Sequence, residues 1–182
     1  RRFRKGAAFF IAPYSGNVLS ATKEVQLRSV PIAFIRTLGP YEAVDPALWI
    51  ELHKWAEKNG LPSEGLSIGI GHDAPGITPA AQLRFDACIT VPPHAKGNER
   101  VHIGKLPPLL CALTTHIGSF STLPRAYPVI FDRAASLNGC EIVGLPAIEI
   151  YRDDSVDSLR KVCTTDIYLP VRRTNVKKIA YQ

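Results

Sequence analysis

The sequence predicts an α+β fold built from two duplicated β-α-β-β units with pseudo-twofold symmetry, their antiparallel sheets set around a central ligand groove. Three observations predict it. The chain echoes itself: at an offset of 79 residues Gly39 falls on Gly118, Tyr41 on Phe120, Asn59 on Asn138 and Gly60 on Gly139, and at 80 residues 85–91 fall on residues 165–171. Each half carries its signals in the same order, a β-rich run, a Gly turn, one helix and two further strands. The strands and single helices lack the regular alternation of a parallel βαβ sheet. A repeat of this length means two structural units, each needing a partner to bury its face.

The elements follow in order. Short strands are expected at residues 24–27 and 101–104, ahead of the halves. Residues 32–38 and 109–115 are the first long strands, rich in β-branched and apolar residues. Turns follow at Gly39-Pro40 and Gly118-Ser119. In the first helix Val44, Leu48, Leu52, Trp55 and Ala56 draw one apolar stripe, and Trp49 and Ile50 fall outside it. In the second, Leu123, Ala126, Tyr127, Ile130, Phe131 and Ala134 recur at three- and four-residue steps, with Thr122 and Pro124 marking the start. Both helices stop at Asn-Gly, which supplies a left-handed residue. Residues 66–71, 85–91, 147–152 and 165–171 complete the strands. The connector 92–100 is turn-rich and short, so the halves form one unit.

Charge is uneven. The net +6 divides into +4 on residues 1–24, +4 on residues 172–182 and −2 on the body between them. The expected organisation is a basic tail or linker over 1–24, a folded domain over 25–171 with halves 25–92 and 101–171, and a basic tail over 172–182. A start at Arg1 and the lack of any methionine point to a fragment of a longer protein. No apolar run reaches the length of a membrane span. Cys88, Cys111, Cys140 and Cys163 are spaced 23, 29 and 23 residues apart, with no CxxC pair, which fits small core residues in a reducing, cytoplasmic compartment.

The chemistry concentrates in a few residues. Glu149 interrupts the apolar strand 147–152, where side chains alternate, so Glu149 and Tyr151 share one face and Ile148 and Ile150 the other. A carboxylate there is either exposed, paired, or the floor of a cleft that answers a cationic or hydrogen-bond-donating ligand. Tyr41 and Phe120 are repeat-matched, and Trp49, Phe85, Tyr127 and Tyr151 are further rings that could wall such a cleft. Any one ring most often packs a core; the group and its symmetry carry the reading. Gly69-Ile70-Gly71 lacks the third glycine and the following helix of a dinucleotide fingerprint. His53, His72, His94, His102 and His116 form no metal-binding pattern, so neither cofactor nor metal is expected. The repeat-matched Asp86 and Asp166 suit a shared structural job.

In this order and spacing, several motifs together resemble the GyrI-like small-molecule-binding domain, the effector-binding domain of AraC-type and MerR-type regulators. They are Arg36-Thr37-Leu38-Gly39-Pro40-Tyr41, Ile70-Gly71-His72-Asp73-Ala74-Pro75, Arg84-Phe85-Asp86, His116-Ile117-Gly118-Ser119-Phe120, Glu149-Ile150-Tyr151 and Thr165-Asp166-Ile167-Tyr168. The resemblance implies a groove between the two units that binds bulky apolar or cationic compounds, as in multidrug binding. Glu149 matches the family's acidic position. Tyr41, Trp49, Phe120 and Tyr151 fall on its aromatic positions, followed by Phe85 and Tyr127. At residues 116–120 a Gly-Pro-Tyr-like turn is replaced, and Phe120 lacks a hydroxyl.

The resemblance also implies DNA contact through a separate domain ahead of this one; no membrane partner is expected from the apolar runs, and a homodimer stays open. It leaves three functions: an effector sensor, a hydrolase of reactive electrophiles with Glu149 as general base and Tyr41 or Tyr151 orienting substrate, or a stand-alone protein-binding inhibitor.

Overall fold

The computed structural model describes residues 18–62, 64–144, 146–152 and 162–174. Among the described residues, ten strands and two helices appear in the order β1 (Val18–Leu19), β2 (Lys23–Leu27), β3 (Val30–Leu38), α1 (Ala47–Lys58), β4 (Ser67–Gly71), β5 (Arg84–Thr90), β6 (His102–Leu106), β7 (Leu109–Gly118), α2 (Leu123–Ala135), β8 (Cys140–Ile142), β9 (Ala147–Tyr151) and β10 (Cys163–Arg173). A 3-10 turn precedes each helix, at Tyr41–Ala43 and Phe120–Thr122. The α+β class and the duplication read from the sequence hold.

The two expected sheets are joined edge to edge. All strands belong to one antiparallel sheet, ordered β1-β7-β10-β9-β4-β5-β3-β6, with β2 also on β7 and β8 also on β10. The seam is β4 against β9, where Ile68 opposes Ile150 and Gly69 opposes Glu149. The leading strands are exchanged: β2, ahead of the first half, pairs with β7 of the second, and β6 pairs with β3 of the first. Ser29 Oγ donates to Leu106 O at 2.8 Å, tying the starts of the two halves together. This exchange, rather than the connector, makes the halves one unit.

Both helices lie on the same face. Partners across an antiparallel ladder point to one side, and the row Ala87–Gly69–Glu149–Ile167 runs from residues under α1 to residues under α2. Leu48, Leu52, Trp55 and Ala56 of α1 pack on Ala33, Ile35, Ala87 and Ile89. Leu123, Ala126, Ile130 and Ala134 of α2 pack on Ala112, Ile167, Leu169 and Val171. Leu52 and Ile130 are fully buried, each contributing about 1.5–3 kcal/mol of transfer free energy. The opposite face holds Ile32, Ile68, Ile70, Cys88, Cys111, Ile148, Ile150 and Tyr168. Cys88 and Cys111 are buried core residues there, as their apolar surroundings predict.

Gly60 and Gly139 adopt φ of 65° and 73°, the left-handed conformation expected of the Asn-Gly stops. Asp86 and Asp166 have matching work. Asp86 accepts from Arg36 Nε at 2.7 Å and faces His72 Nε2 at 2.6 Å; Asp166 accepts from Thr115 Oγ1 at 2.7 Å and Arg152 Nε at 2.8 Å. Arg36 and Thr115 are repeat mates, as are His72 and Arg152.

Three expectations are corrected. Phe131 is 43% exposed, so the α2 stripe is narrower than its periodicity indicates; the ring leans on Tyr127 from the solvent side, 6.1 Å between centroids. The fold begins before residue 25, because Val18–Leu19 and Lys23–Glu24 already pair with β7. It also runs past 171, since Arg172 and Arg173 pair with Glu141 and Cys140 of β8. Neither β1 nor β8 was signalled, both being too short to show alternation. Residues 1–17 and 175–182 of the two basic tails lie outside the described residues.

Candidate functional site

The helix face of the central seam is set by register. One row across the sheet reads Ser67, Tyr151, Thr165, His116; the next reads Gly69, Glu149, Ile167; the next pairs Gly71 with Ala147. The site therefore lies between α1 and α2, on the line where the two units meet. Period-two alternation places Glu149 and Tyr151 on this side and the flanking isoleucines behind it.

Glycines make the floor. A Cβ at Gly69 would stand 2.3 Å from Tyr151 Oη and 2.7 Å from Phe85 Cζ, and one at Gly71 would stand 3.3 Å from the Tyr41 ring. The Gly69-Ile70-Gly71 run thus leaves β4 bare on the helix side, so that rings lie directly on its backbone. Alternating glycines around a core isoleucine were the sequence signal for this.

Glu149 is the charge at the centre. Its carboxylate accepts a hydrogen bond from Tyr127 Oη at 2.5 Å and from Tyr151 Oη at 2.6 Å. It keeps some solvent access although protein crowds it closely. Burial raises its pKa above the ordinary carboxylate value, and the two hydroxyl donors oppose that rise. Burial also pushes Tyr127 and Tyr151 well up, with the Glu149 charge adding to the shift. Among the described residues, no ion pair includes Glu149.

Aromatic rings form a continuous chain beside it. Tyr41 meets Phe85 at 5.8 Å between centroids, Phe85 meets Trp49 at 6.0 Å, Trp49 meets Tyr151 edge-on at 5.3 Å, and Tyr151 meets Phe120 edge-on at 5.2 Å. Edge-to-face contacts of this kind are favourable for ring quadrupoles. Trp49 lies off the α1 stripe and is turned into the seam, where its indole Nε1 donates to Ile68 O at 3.1 Å. Its repeat mate is Pro128, so only α1 contributes an indole.

All seven residues singled out from the sequence, Glu149, Tyr41, Trp49, Phe85, Phe120, Tyr127 and Tyr151, are thus linked in one network. Tyr41 joins it through its ring alone. Its hydroxyl donates to Asp73 O at 2.8 Å and accepts from Asp73 N at 2.9 Å, fastening the loop after β4. Tyr127, not Tyr41, is the second hydroxyl on the carboxylate. Sequence reasoning missed His116 and Thr165 in the same row, and Ser67, whose Oγ lies 3.0 Å from His53 Nε2. Surface cavities of about 430 and 450 Å³ lie beside α2 and beneath the loop near Tyr41, and neither includes Glu149.

The family model for the GyrI-like small molecule binding domain matches residues 21–172. The chain belongs to the GyrI-like family. It is a GyrI-like small-molecule-binding domain, and its relatives include regulators. A curated relative from Bacillus subtilis (strain 168), the "SPbeta prophage-derived putative transcriptional regulator YosT", is 26% identical over 134 residues, covering 73% of this chain and 89% of YosT. The same GyrI-like fold is seen in EcmrR. Its complex with DNA matches with a TM-score of 0.69 at 18% identity over 84% of this chain, and the chain spans 57% of that protein. The isolated EcmrR C-terminal domain is covered to 98%, at a TM-score of 0.64 and 18% identity over 84% of this chain. A hydrolase encoded by lin2189 from Listeria innocua matches with a TM-score of 0.58 at 13% identity, over 84% of this chain and 92% of its own. SAV2435 bound to tetraphenylphosphonium matches at 0.53 and 12%, over 83% and 93%. Among the described residues no helix is long and apolar enough to cross a membrane.

Proposed function

We propose that this GyrI-like domain is the effector sensor of an AraC-type transcription regulator acting in the cytoplasm, and that its effector is a bulky, aromatic or apolar cation. The observation that carries the reading is the Glu149 carboxylate. Burial crowds it, two neutral hydroxyls hold it, and among the described residues no ion pair includes it. A buried charge without a counter-charge is costly, and a ligand cation set against it relieves that cost. Trp49, Phe85, Phe120 and Tyr151 supply flat apolar surface and ring faces for cation–π attraction. Burying roughly 300 Å² of apolar ligand surface gives about 7 kcal/mol before entropy costs, enough for micromolar binding.

Entry requires the rings to turn aside, because they lie directly on the β4 backbone at the seam. Such side-chain rotation is common on binding. A shift of the helices that carry those rings is then the natural signal to a DNA-binding domain elsewhere in the full protein. The tetraphenylphosphonium-bound relative and the DNA-bound EcmrR support the two ends of this reading.

Calorimetry with tetraphenylphosphonium and with neutral triphenylphosphine oxide tests it. Glu149→Gln weakens the cation at least tenfold and the neutral compound little. Equal losses for both would overturn the charge-based reading.

A second reading rests on the same carboxylate. A glutamate whose pKa is raised by burial is a general base for water, and the lin2189 hydrolase shares the fold. In this reading Tyr151, which donates to Glu149, orients the substrate, and Tyr41, engaged with Asp73, does not. Turnover of a strained cyclopropane-type electrophile that Glu149→Gln abolishes would favour it.

A further inference from the structure

The row that carries Tyr151 continues into two buried side chains that each keep a polar atom without a partner. Thr165 is the ladder partner of Tyr151 on one side and of His116 on the other. Both Thr165 and His116 are fully buried. Thr165 Oγ1 and His116 Nδ1 are buried without a hydrogen-bond partner. Leaving such atoms unsatisfied costs about 1–3 kcal/mol each, so the pair is either a cost without return or half of an interaction.

The tautomer can be derived. Thr122 Oγ1 donates its one proton to Ser119 O. It lies 3.1 Å from His116 Nε2 and has only lone pairs left for that contact. His116 therefore carries its proton on Nε2, and Nδ1 presents a bare lone pair. Burial lowers the His116 pKa, which keeps the ring neutral. The place offers an acceptor nitrogen beside a hydroxyl, and it calls for a donor.

The same place in the first half is apolar. The repeat mate of Thr165 is Phe85, and that of His116 is Thr37, whose hydroxyl is engaged with Phe85 O. The first half therefore presents a ring and an engaged hydroxyl where the second presents two unpartnered polar atoms. Phe120, which stands edge-on to Tyr151, belongs to the 3-10 turn that also carries Thr122, so the lid over this end and the partner of His116 are one turn.

We propose that His116 and Thr165 form a polar subsite of the binding cleft, which accepts a hydrogen-bond donor borne by the effector beyond its cationic centre. The inference rests on the effector reading above and narrows it: the ligand is an aromatic cation with a distal hydroxyl or amine. Strand spacing and residue rise put the backbone positions of Thr165 and His116 about 8 and 12 Å from that of Glu149, which sets the length of the ligand. The Phe120 turn swings away as the donor enters.

Two probes test this by calorimetry, a triphenylphosphonium bearing a 4′-hydroxybiphenyl group and its methyl ether. They share charge and shape and differ by one donor. The expected result is roughly fivefold or more tighter binding of the phenol, the equivalent of one net hydrogen bond, with the gap closed in Thr165→Val. Nitrogen NMR of His116 in the wild-type chain gives a second readout that needs no variant: Nδ1 reads as an unbonded acceptor in the free protein and shifts on binding the phenol but not the ether. Equal affinities with an unmoved Nδ1 resonance would overturn the subsite and leave the cation reading standing. An Nδ1 already hydrogen-bonded in the free protein would overturn it too, in favour of a resident water. Failure of both probes to bind would reject the cation reading, and the subsite with it.

Discussion

Glu149 and Gly69 face each other across the seam between β4 and β9, and they are also repeat mates at an offset of 80 residues. One copy of the duplicated unit puts a carboxylate at this point and the other puts nothing. Two carboxylates meeting on the pseudo-twofold axis would repel each other in a desolvated site. One carboxylate opposite a glycine leaves room for the Tyr151 hydroxyl above the Gly69 backbone. The asymmetry gives the site a single charge.

Gly69→Ala tests that relationship. The new Cβ would lie 2.3 Å from Tyr151 Oη and 2.7 Å from Phe85 Cζ, both of which must move. Overpacking of this kind costs about 1–3 kcal/mol. Urea denaturation should show that loss, and tetraphenylphosphonium affinity should fall because Tyr151 is turned from Glu149. Unchanged stability and affinity would mean the rings are loosely held.

The charge on Glu149 has a signature in stability against pH. Its pKa is raised in the fold by burial, so the folded chain holds the proton more tightly than the unfolded chain. Stability is then greatest below the ordinary value of 4.5 and declines as pH rises from there through the folded pKa. Glu149→Gln does not titrate. The variant should therefore gain on the wild type as pH rises above the ordinary value of 4.5, measured by urea midpoints. Parallel curves would show that the carboxylate is not desolvated.

Tyr127→Phe removes one of the two donors on that carboxylate. Hydrogen bonds to charged groups contribute about 1.5–3 kcal/mol, and the variant should be destabilised by that order near neutral pH. The loss should shrink in acid, as Glu149 gains its proton. A loss independent of pH would assign Tyr127 to packing alone.

Asp73 gives the opposite pH dependence. Hydrogen bonds from the Arg84 side chain and backbone hold its pKa down to about 2 from 3.8. A depressed carboxylate contributes stability that is present above the ordinary value and lost as pH falls through the folded one. Thermal unfolding followed by circular dichroism should show Asp73→Asn flattening the acid limb between those values. The pair is solvent-exposed on the Arg84 side, so salt should weaken the effect.

The duplication was legible because equal spacing survives in a one-dimensional string. Asn59-Gly60 and Asn138-Gly139, the two helix stripes and the Asp86–Asp166 match all follow from local periodicity and repeat offset. Trp49 was visible as an indole off its stripe, and Glu149 as a charge in an apolar strand. Phe131 misled because a three- and four-residue step does not say how wide the buried face is. His116 and Thr165 gave no warning, since a His and a Thr in separate strands look like ordinary polar residues.

The sequence by itself determined the two units, their elements and the short roll of residues from which a site could be made, because backbone periodicity and turn chemistry act between near neighbours. Tertiary structure alone decided that β2 and β6 change places, that β4 meets β9 in the one register that sets Glu149 opposite Gly69, and that Tyr127 rather than Tyr41 reaches the carboxylate. Those outcomes depend on pairing between residues far apart in the chain, where a slip of one position would turn Glu149 to the other face of the sheet.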